Sequence, residues 1–308
     1  MDVMTASPRL PVPADVDAAL ARIRPHVRRT PQLRAEIDGR PVVLKLEHLQ
    51  RSGSFKLRGA VNALLAGPAP ARVVTASGGN HGLGVATAAQ ALGVPAIVYV
   101  PESVPEAKAA GIEATGVKLV RHGATYAEAA AAALAVAEEP GSRYLHAYDD
   151  PDVIAGQGTV TAEIVEDSPE VDAVVVAVGG GGLASGTTLA AGGRRVFAVE
   201  PEHCCALNAA LAAGEPVDVK LDSVASSALG ATRVGQLPFR LLNSPAVTSV
   251  LVSDAELLAA RDRLWAEFRL VVEPAAAVPF AAWIAGRVEA ELPCLILCGA
   301  NTTVTFPS

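Results

Sequence analysis

The chain has 308 residues, of which 51% are hydrophobic, and this is enough for a large core in one large or two modest domains. A net charge of −7 and a pI near 5.4 argue against a basic surface, so we expect no nucleic acid as a partner. The longest apolar runs are broken by glycine, proline or charge well short of a membrane span, so we expect no membrane partner.

The first fifty residues predict an arm, a helix and a hairpin. Met1–Pro13 carries little pattern and predicts a loose arm. Asp15 is a candidate cap for the amphipathic helix that follows. Asp38-Gly39 is typical of a hairpin turn and leads into an alternating strand at Val42–Glu47.

From residue 72 onward, β-branched runs alternate with helical patterns. The strands are predicted at Arg72–Ala76, Ala96–Val100, Val117–Arg121, Ala173–Val178, Arg195–Glu200, Val247–Val252 and Cys294–Cys298. The helices are predicted at Asn80–Leu92, Glu106–Ala114, Thr125–Glu138, after the glycines at 179–182, up to about Ala213, at Asp254–Phe268 and near Ala275–Arg287. This alternation predicts parallel sheets with right-handed crossovers. Between them, Gly214–Ser244 has little periodicity and predicts a long functional loop.

Turn signals divide the chain into two α/β units. Pro140-Gly141 and Asp149-Asp-Pro151 mark a return from the second unit to the first. We therefore predict a large domain of residues 1–68 and 149–308 and a small domain of residues 69–148. The ligand is expected in the cleft between them, where the carboxyl ends of parallel strands meet.

One lysine stands at the opening of a predicted helix, in the stretch Arg51-Ser-Gly-Ser-Phe-Lys-Leu-Arg-Gly59. Ser54 is a candidate cap for this helix. The positive end of a helix disfavours a charged amine, so Lys56 is placed to stay partly neutral, as a nucleophile requires. The alternative is an ordinary solvated lysine.

Two glycine-rich turns each follow a β-branched run and precede a helical one. They are Thr75-Ala-Ser-Gly-Gly-Asn-His-Gly82 and Val178-Gly-Gly-Gly-Gly-Leu183. Such turns present backbone N–H groups to an anion without side chains in the way.

Together with the lysine stretch, these turns resemble the fold type II pyridoxal-phosphate enzymes, and within them the serine/threonine dehydratase and serine racemase group. The resemblance runs from Thr30-Pro31 to Cys298-Gly-Ala-Asn301, with the three motifs in the family's order and spacing. It implies an α/β fold of the tryptophan synthase β-like type, with two parallel-sheet domains and the active site in the cleft between them. It also implies pyridoxal 5'-phosphate as cofactor, a small hydroxyamino-acid substrate and a homodimer.

The resemblance also assigns roles to residues that contact the cofactor. Lys56 matches the Schiff-base lysine, which can then serve as the base for the substrate α-proton. Phe55 matches the flanking aromatic that holds the pyridine ring, although it can also be core packing alone. The phosphate would rest on the turn formed by Gly179, Gly180, Gly181, Gly182 and Leu183.

Cys298 falls where the family has a serine or cysteine facing the pyridine nitrogen. A thiol with a pKa near ~8.5 cannot hold a pyridinium as an aspartate can, which suits elimination rather than transamination. A buried small hydrophobe is compatible with the same position.

The loop that receives the substrate carboxylate matches Ser77, Gly78, Gly79, Asn80 and His81. Asn80 also matches the residue that contacts the ring hydroxyl. For His81 we favour a place at the helix start without catalytic proton transfer, because the loop needs backbone and amide donors more than an acid.

The residue at position 78 distinguishes racemases from dehydratases in this family. Racemases of this family carry a second serine there, which protonates the opposite face of the substrate, whereas glycine offers no proton. We therefore predict elimination of water from L-serine or L-threonine, giving pyruvate or 2-oxobutanoate and ammonia. A 3-hydroxyaspartate dehydratase, a serine racemase and a synthase are the nearest alternatives, followed by a silent cofactor-binding protein.

The second glycine turn also permits a different function. Gly179-x-Gly181-x-x-Ala184 fits the dinucleotide fingerprint, and Glu200 ends the next strand, about where a ribose-binding acid is expected. A nicotinamide-dependent oxidoreductase is therefore the rival hypothesis, but it leaves Lys56 without a role. Glu200 also matches a cation-binding glutamate of some relatives; with His203 it makes a poor two-ligand site, and we favour a solvated pair, leaving metal binding open.

The cysteines bear on the cellular compartment. Cys204, Cys205, Cys294 and Cys298 have no framework spacing, and no signal peptide is recognisable at the N-terminus. We therefore expect reduced thiols and a cytoplasmic protein.

Overall fold

The computed structural model describes residues 9–302. The strands described are β1 (Gln32–Ile37), β2 (Arg40–Lys45), β3 (Arg72–Ala76), β4 (Ala96–Val100), β5 (Lys118–Arg121), β6 (Ser142–Tyr144), β7 (Ala173–Ala177), β8 (Arg195–Pro201), β9 (Val247–Val252) and β10 (Pro293–Ile296). They form a six-stranded sheet in the order β1-β2-β10-β7-β8-β9 and a four-stranded sheet in the order β5-β4-β3-β6. The pairing of β1 with β2 is antiparallel, and the other described strand pairings are parallel. The predicted α/β class with parallel sheets is confirmed.

Twelve α-helices lie among the described residues. They are α1 (Pro13–Ile23), α2 (Lys56–Leu65), α3 (Asn80–Leu92), α4 (Glu106–Glu113), α5 (Tyr126–Ala137), α6 (Pro151–Asp167), α7 (Gly182–Ala190), α8 (Ala206–Ala213), α9 (Ser226–Leu229), α10 (Gln236–Leu242), α11 (Asp254–Phe268) and α12 (Pro274–Ile284). The bounds of β3, β4, β9, α3 and α11 are those predicted from the sequence. These elements have strong local signals, such as valine runs for the strands and the Ser253 capping box at the start of α11.

The N-terminal region agrees with the hairpin prediction and corrects one cap. Residues 1–8 of the predicted arm lie outside the described residues. Asp38 and Gly39 both have positive φ, 53° and 72°, as a tight hairpin turn between β1 and β2 requires. Asp15 is not the cap residue of α1 but lies at its third position, where its carboxylate accepts a hydrogen bond of 2.7 Å from the backbone N–H of Val12.

Apart from the short helices α9 and α10, two elements escaped prediction. Strand β6 has three residues, too few for a period to be visible, and it lengthens the four-stranded sheet beside β3. Helix α6 is buried on most of its surface, so its sequence lacks the polar stripe that reveals an amphipathic helix. It packs against both α2 and α7.

The predicted loop Gly214–Ser244 contains two short helices, α9 and α10. The carboxylate of Asp149 accepts hydrogen bonds from the backbone N–H groups of Gln236 and Leu237 at 3.0 and 2.9 Å, which fixes the start of α10. The segment is thus tied to the connection that leads out of β6.

The sheets bring three strand ends together. Ser77 directly follows β3, the glycines at 179–182 begin two residues after the end of β7, and Cys298 lies two residues after the end of β10. These three predicted motifs therefore lie at the carboxyl ends of buried strands. In the described range, no helix is both long and apolar enough to span a bilayer. The boundaries between the predicted domains stay a prediction.

Candidate active site

Lys56 is the first residue of α2, as predicted, but Ser54 does not cap this helix. The residue at the cap position is Phe55, and the buried Ser54 hydroxyl has no hydrogen-bond partner among the described residues. The start of α2 is held instead by the backbone: the Phe55 N–H donates to the carbonyl of Cys298 at 3.1 Å. The prediction of a Ser54 cap was wrong because this residue is held in a β-bridge with Gly299.

The amine of Lys56 is not an ordinary solvated one. Its Nζ donates to the carbonyl of Ala147 at 2.7 Å and lies 5.1 Å from the ring centroid of Phe55. Burial lowers the pKa of Lys56 to about 8, because desolvation penalises the charged form. A fraction of the amine is therefore uncharged and nucleophilic at neutral pH.

The glycine turn between β7 and α7 is packed so closely that side chains do not fit. A Cβ on Gly180 would lie 2.3 Å from ring carbons of Tyr148, and one on Gly179 would lie 3.1 Å from Cα of Leu229. Gly181 has φ +95°, a conformation that favours glycine. The turn leads into α7, whose first N–H groups carry the positive end of the helix dipole. It is a cradle for an anion built from backbone donors.

Cys298 follows β10 and is 3% exposed. Burial raises the pKa of its thiol well above the ordinary value, so the group is a neutral thiol at physiological pH. It lies in one cavity with all the other predicted cofactor contacts. The lining of that cavity includes Phe55, Lys56, Asn80, Gly179, Gly180, Gly181, Gly182, Leu183 and Cys298.

Asn80 begins α3 and is held on both sides. Its Nδ2 donates to Oε1 of Glu273 at 2.7 Å, and its Oδ1 accepts from Nδ2 of Asn301 at 2.7 Å. Glu273 is 5% exposed, and burial raises its pKa to about 7. The sequence analysis missed Glu273, although its place before Pro274 at the start of α12 is a recognisable helix-start signal.

The remaining residues of the predicted substrate loop divide into two groups. Gly78 and Gly79 line a second, more open cavity that also contains Asn80, Glu273 and Lys108. Ser77 lines neither cavity, and its hydroxyl accepts a hydrogen bond of 3.2 Å from the N–H of Gly79 within the loop.

His81 lines neither of these cavities. It is 5% exposed, and its Nε2 lies 3.0 Å from the carbonyl of Leu145. Burial lowers the pKa of His81 to about 3, so the ring is neutral at physiological pH. That it takes no part in proton transfer stays a prediction.

Glu200 is not part of a solvated pair. It is fully buried, and its two carboxylate oxygens accept the backbone N–H groups of Leu207 and Asn208, both at 2.8 Å, at the start of α8. Both oxygens are occupied by this cap, which takes away the acid that the dinucleotide hypothesis requires for a ribose. Within residues 9–302 no group of three His, Cys, Asp or Glu side chains could hold a metal ion.

Residues 23–299 match the family model of pyridoxal-phosphate dependent enzymes. The chain belongs to this family. Among curated members, an L-threonine ammonia-lyase of Geobacter sulfurreducens is 36% identical, over 92% of this chain and 74% of that protein. A serine racemase of Arabidopsis thaliana is 33% identical, over 91% of this chain and 90% of that protein. Among solved structures, a threonine deaminase from T.th. superposes with a TM-score of 0.90 at 36% identity, covering 96% of this chain and 100% of that one.

The chain's own residues fit the family's cofactor. A phosphate needs backbone donors that side chains do not obstruct, and the four glycines at the start of α7 supply them. An aldehyde needs a partly neutral amine, and Lys56 supplies it in the same cavity. The cavity at the carboxyl ends of β7 and β10 therefore fits pyridoxal phosphate, the cofactor of this family.

Proposed function

We propose that this chain is an ammonia-lyase that uses pyridoxal phosphate to dehydrate L-threonine or L-serine, releasing ammonia and 2-oxobutanoate or pyruvate. The single observation that carries the proposal is one cavity that contains a partly neutral lysine amine, a turn of four glycines and a neutral thiol. The ammonia-lyase and deaminase names of relatives that align with nearly the whole chain support the reaction type.

Lys56 has two tasks in this proposal. When bound, pyridoxal phosphate supplies an electron sink for the electron pair left at the substrate's α-carbon. Because its pKa is lowered to about 8, the amine of Lys56 can attack the cofactor aldehyde and, once released, accept the α-proton near neutral pH. Its hydrogen bond to the carbonyl of Ala147 fixes the resting position of the amine.

Asn80 and the start of α3 orient the substrate. The helix carries the positive end of its dipole at this point, which favours the substrate carboxylate. One N–H of the Asn80 amide donates to Glu273, and the second would be available to the ring hydroxyl of the cofactor. Held by Glu273 and Asn301, this amide has little freedom to turn away.

Cys298 favours elimination over reactions that need a strong sink. A thiol whose pKa is raised by burial stays neutral and offers no negative charge to a protonated ring nitrogen. Charge that builds up at the α-carbon is then best discharged by loss of the β-hydroxyl group as water.

Gly78 argues against racemisation. It bears no proton donor, and a Cβ at this position would lie 2.6 Å from Cγ2 of Val104. A serine would therefore fit only if Val104 moved. We expect purified enzyme to convert L-serine into pyruvate faster than it converts L-serine into D-serine. The reverse order would refute the dehydratase assignment.

One observation favours a second substrate class. Lys108 lines the same open cavity as Gly78 and Asn80, so its ammonium group is available to a substrate with a second carboxylate, such as 3-hydroxyaspartate. Comparing kcat/KM for threonine and for 3-hydroxyaspartate distinguishes the two substrate classes. If 3-hydroxyaspartate is the better substrate, Lys108→Met should lower kcat/KM for it at least 10-fold more than for threonine.

The deciding experiment combines labelling with product detection. Borohydride reduction should abolish the visible absorption band of the holoenzyme. The reduced cofactor should then be recovered as a covalent label on the peptide that contains Lys56. Keto-acid release is then measured on a panel of L-threonine, L-serine and 3-hydroxyaspartate. Lys56→Ala should lose both the label and the activity, and a Lys56→Ala protein that still releases ammonia would refute the proposal.

The same proposal includes the domain arrangement, the cellular compartment and the oligomeric state. We propose that residues 69–148 form a domain that borders the cleft, in line with the separate four-stranded sheet. All four cysteines are free thiols, which supports a reducing cytoplasm. A homodimer is proposed from the family resemblance, and light scattering at micromolar concentration tests it.

A further inference from the structure

Four buried charges lie behind the active-site lysine. Lys45, Glu47, Arg58 and Glu163, here called the buried charge quartet, have side chains between 0% and 3% exposed. They come from β2, the turn after it, α2 and α6, and their formal charges cancel. Nothing in the proposed reaction uses them.

Arg58 is the centre of the quartet. Its guanidinium donates to both oxygens of Glu47 at 2.7 and 2.9 Å, and to both oxygens of Glu163 at 2.7 and 2.9 Å. Two further donations reach Oγ1 of Thr159 at 3.3 Å and the carbonyl of Arg28 at 3.2 Å. Every nitrogen of the planar group is engaged, which leaves it one orientation.

Lys45 closes the network. Its Nζ donates to Oε2 of Glu163 at 2.6 Å and to the carbonyl of Thr30 at 2.7 Å. The hydroxyl of Thr30 in turn donates to Oε2 of Glu47 at 2.6 Å. Burial alone would raise the pKa of Glu163, but Arg58 and Lys45 lower it overall, so this carboxylate stays charged.

Such a network is a poor device for stability alone. Removing charges from water is costly, and well-packed apolar side chains of the same volume often stabilise a protein at least as well. What charges with fixed hydrogen-bond geometry add is a single register between the elements that carry them. The element whose register matters here is α2, because it begins at Lys56.

The geometry of α2 makes Lys56 sensitive to rotation of the helix. Arg58 follows Lys56 by two residues, about 200° around the axis, so the two side chains leave opposite faces. The Lys56 amine lies about 8 Å from the axis, taking a helix radius of about 2.3 Å and an extended side chain of about 6 Å. A rotation of about 10° would move it by about 1.4 Å, and an error of about 1 Å at a reacting atom can cost about 100-fold in rate.

Close packing against α3 and α6 limits sliding of α2, and the Gly59 N–H and the Asn62 side chain add hydrogen bonds to Gln157 and Asp152 of α6. A Cβ on Gly84 of α3 would lie 3.0 Å from Cβ of Lys56, and one on Gly156 of α6 would lie 2.7 Å from the carbonyl oxygen of Arg58. Glycines let helices approach closely, but they have no side chain that restrains the rotation of the neighbouring helix. The quartet adds charged side-chain hydrogen bonds that restrict rotation of α2 two residues from Lys56.

We propose that the buried charge quartet is a positioning device that sets the rotation of α2 and so aims the Lys56 amine at the cofactor. Its members are positioning residues, since none of them lines the cofactor cavity. The proposal rests on the proposed role of Lys56.

The test is Arg58→Lys, which keeps a positive charge and loses the planar fork. The expected results are faster hydrogen exchange of the α2 amides in the apoprotein and at least 10-fold weaker pyridoxal-phosphate binding. In the holoenzyme kcat should fall at least 10-fold while KM changes less than about 3-fold. Glu163→Gln, which keeps the shape and removes one charge, should give the same pattern in weaker form and serves if the first variant does not fold.

Leu264→Ala is the matched control. Leu264 is fully buried in α11, away from α2, so its truncation should lower the melting temperature while kcat, cofactor affinity and α2 exchange stay at wild-type values. If the quartet variants behave like this control, the quartet serves stability only and the proposal is overturned. Failure of the proposed function would show differently, as a wild-type holoenzyme with no label on Lys56, whereas the exchange of α2 in the apoprotein still reports on the quartet.

Discussion

The lowered pKa of Lys56 predicts how fast the apoprotein captures its cofactor at each pH. Only the uncharged amine attacks an aldehyde. With a pKa of about 8, about one amine in ten is uncharged at pH 7, compared with about one in 3,000 for an amine at the ordinary value of 10.5. Burial therefore increases the reactive fraction about 300-fold at pH 7. Since a less basic amine is also a weaker nucleophile, this ratio is an upper bound on the gain in rate.

The assay is stopped-flow absorbance after mixing apoprotein with pyridoxal phosphate between pH 6 and 10. The second-order rate constant should rise about 10-fold per pH unit up to about pH 8 and then level off, because above its pKa the amine is already neutral. A lysine peptide with a blocked α-amine is the reference and should keep rising beyond pH 9.5. Lys56→Ala should show no such phase.

A rate constant that climbs in parallel with the peptide up to pH 10 would refute the reasoning. It would mean that the amine is solvated in the apoprotein and that the hydrogen bond to the carbonyl of Ala147 is not its resting state. A plateau well below pH 7 would be equally damaging, since it would place a nearby cation where none lies among the described contacts of Lys56.

Three other predictions concern single positions. Gly180→Ala should weaken cofactor binding at least 10-fold in a fluorescence titration, because its Cβ would meet a tyrosine ring at 2.3 Å, whereas Gly67→Ala, with no atom within 4 Å, should bind normally. Glu200→Ala should lower the free energy of unfolding in urea by about 1–3 kcal/mol, because two helix-start N–H groups lose their acceptor, while the exposed Glu202→Ala should change it by less than about 0.5 kcal/mol. For Glu273, whose pKa is raised from 4.5 to about 7, the native state binds a proton more tightly than the unfolded state, so its contribution is present below pH 4.5 and is lost as pH rises to 7. The difference between wild type and Glu273→Gln should therefore change by up to about 3 kcal/mol over that window, and a flat difference would contradict the assignment.

Local signals were enough for most of the fold. The hairpin follows from Asp38-Gly39, because that pair adopts the positive φ values that a tight turn needs. The parallel sheets follow from valine-rich runs that alternate with helical periods. Helix α6 escaped because a helix that is buried on most of its surface shows no clear polar face, and β6 because three residues show no period.

Local rules failed where burial or a partner outside the local pattern decided the outcome. Ser54 looked like a helix cap, but its pairing with Gly299 turns it away from that task. Glu200 was expected to be solvated beside His203, yet it is buried and caps α8. In both cases the residue type was read correctly and the environment could not be.

By itself, the sequence predicted which segments carry chemistry: a lysine at a helix start, a loop that the family resemblance assigns to the substrate carboxylate, and four consecutive glycines after a buried strand. The cavity shared by Lys56, Asn80 and the four glycines was decided by the tertiary structure, and so was the Glu273 contact that fixes Asn80 across 193 positions of the chain. The reason is physical. Turns and periods are set by interactions within a few residues, whereas the pKa of Lys56, the packing that requires glycine at position 180 and the buried charges behind α2 depend on burial and partners that exist only once the sheets have assembled.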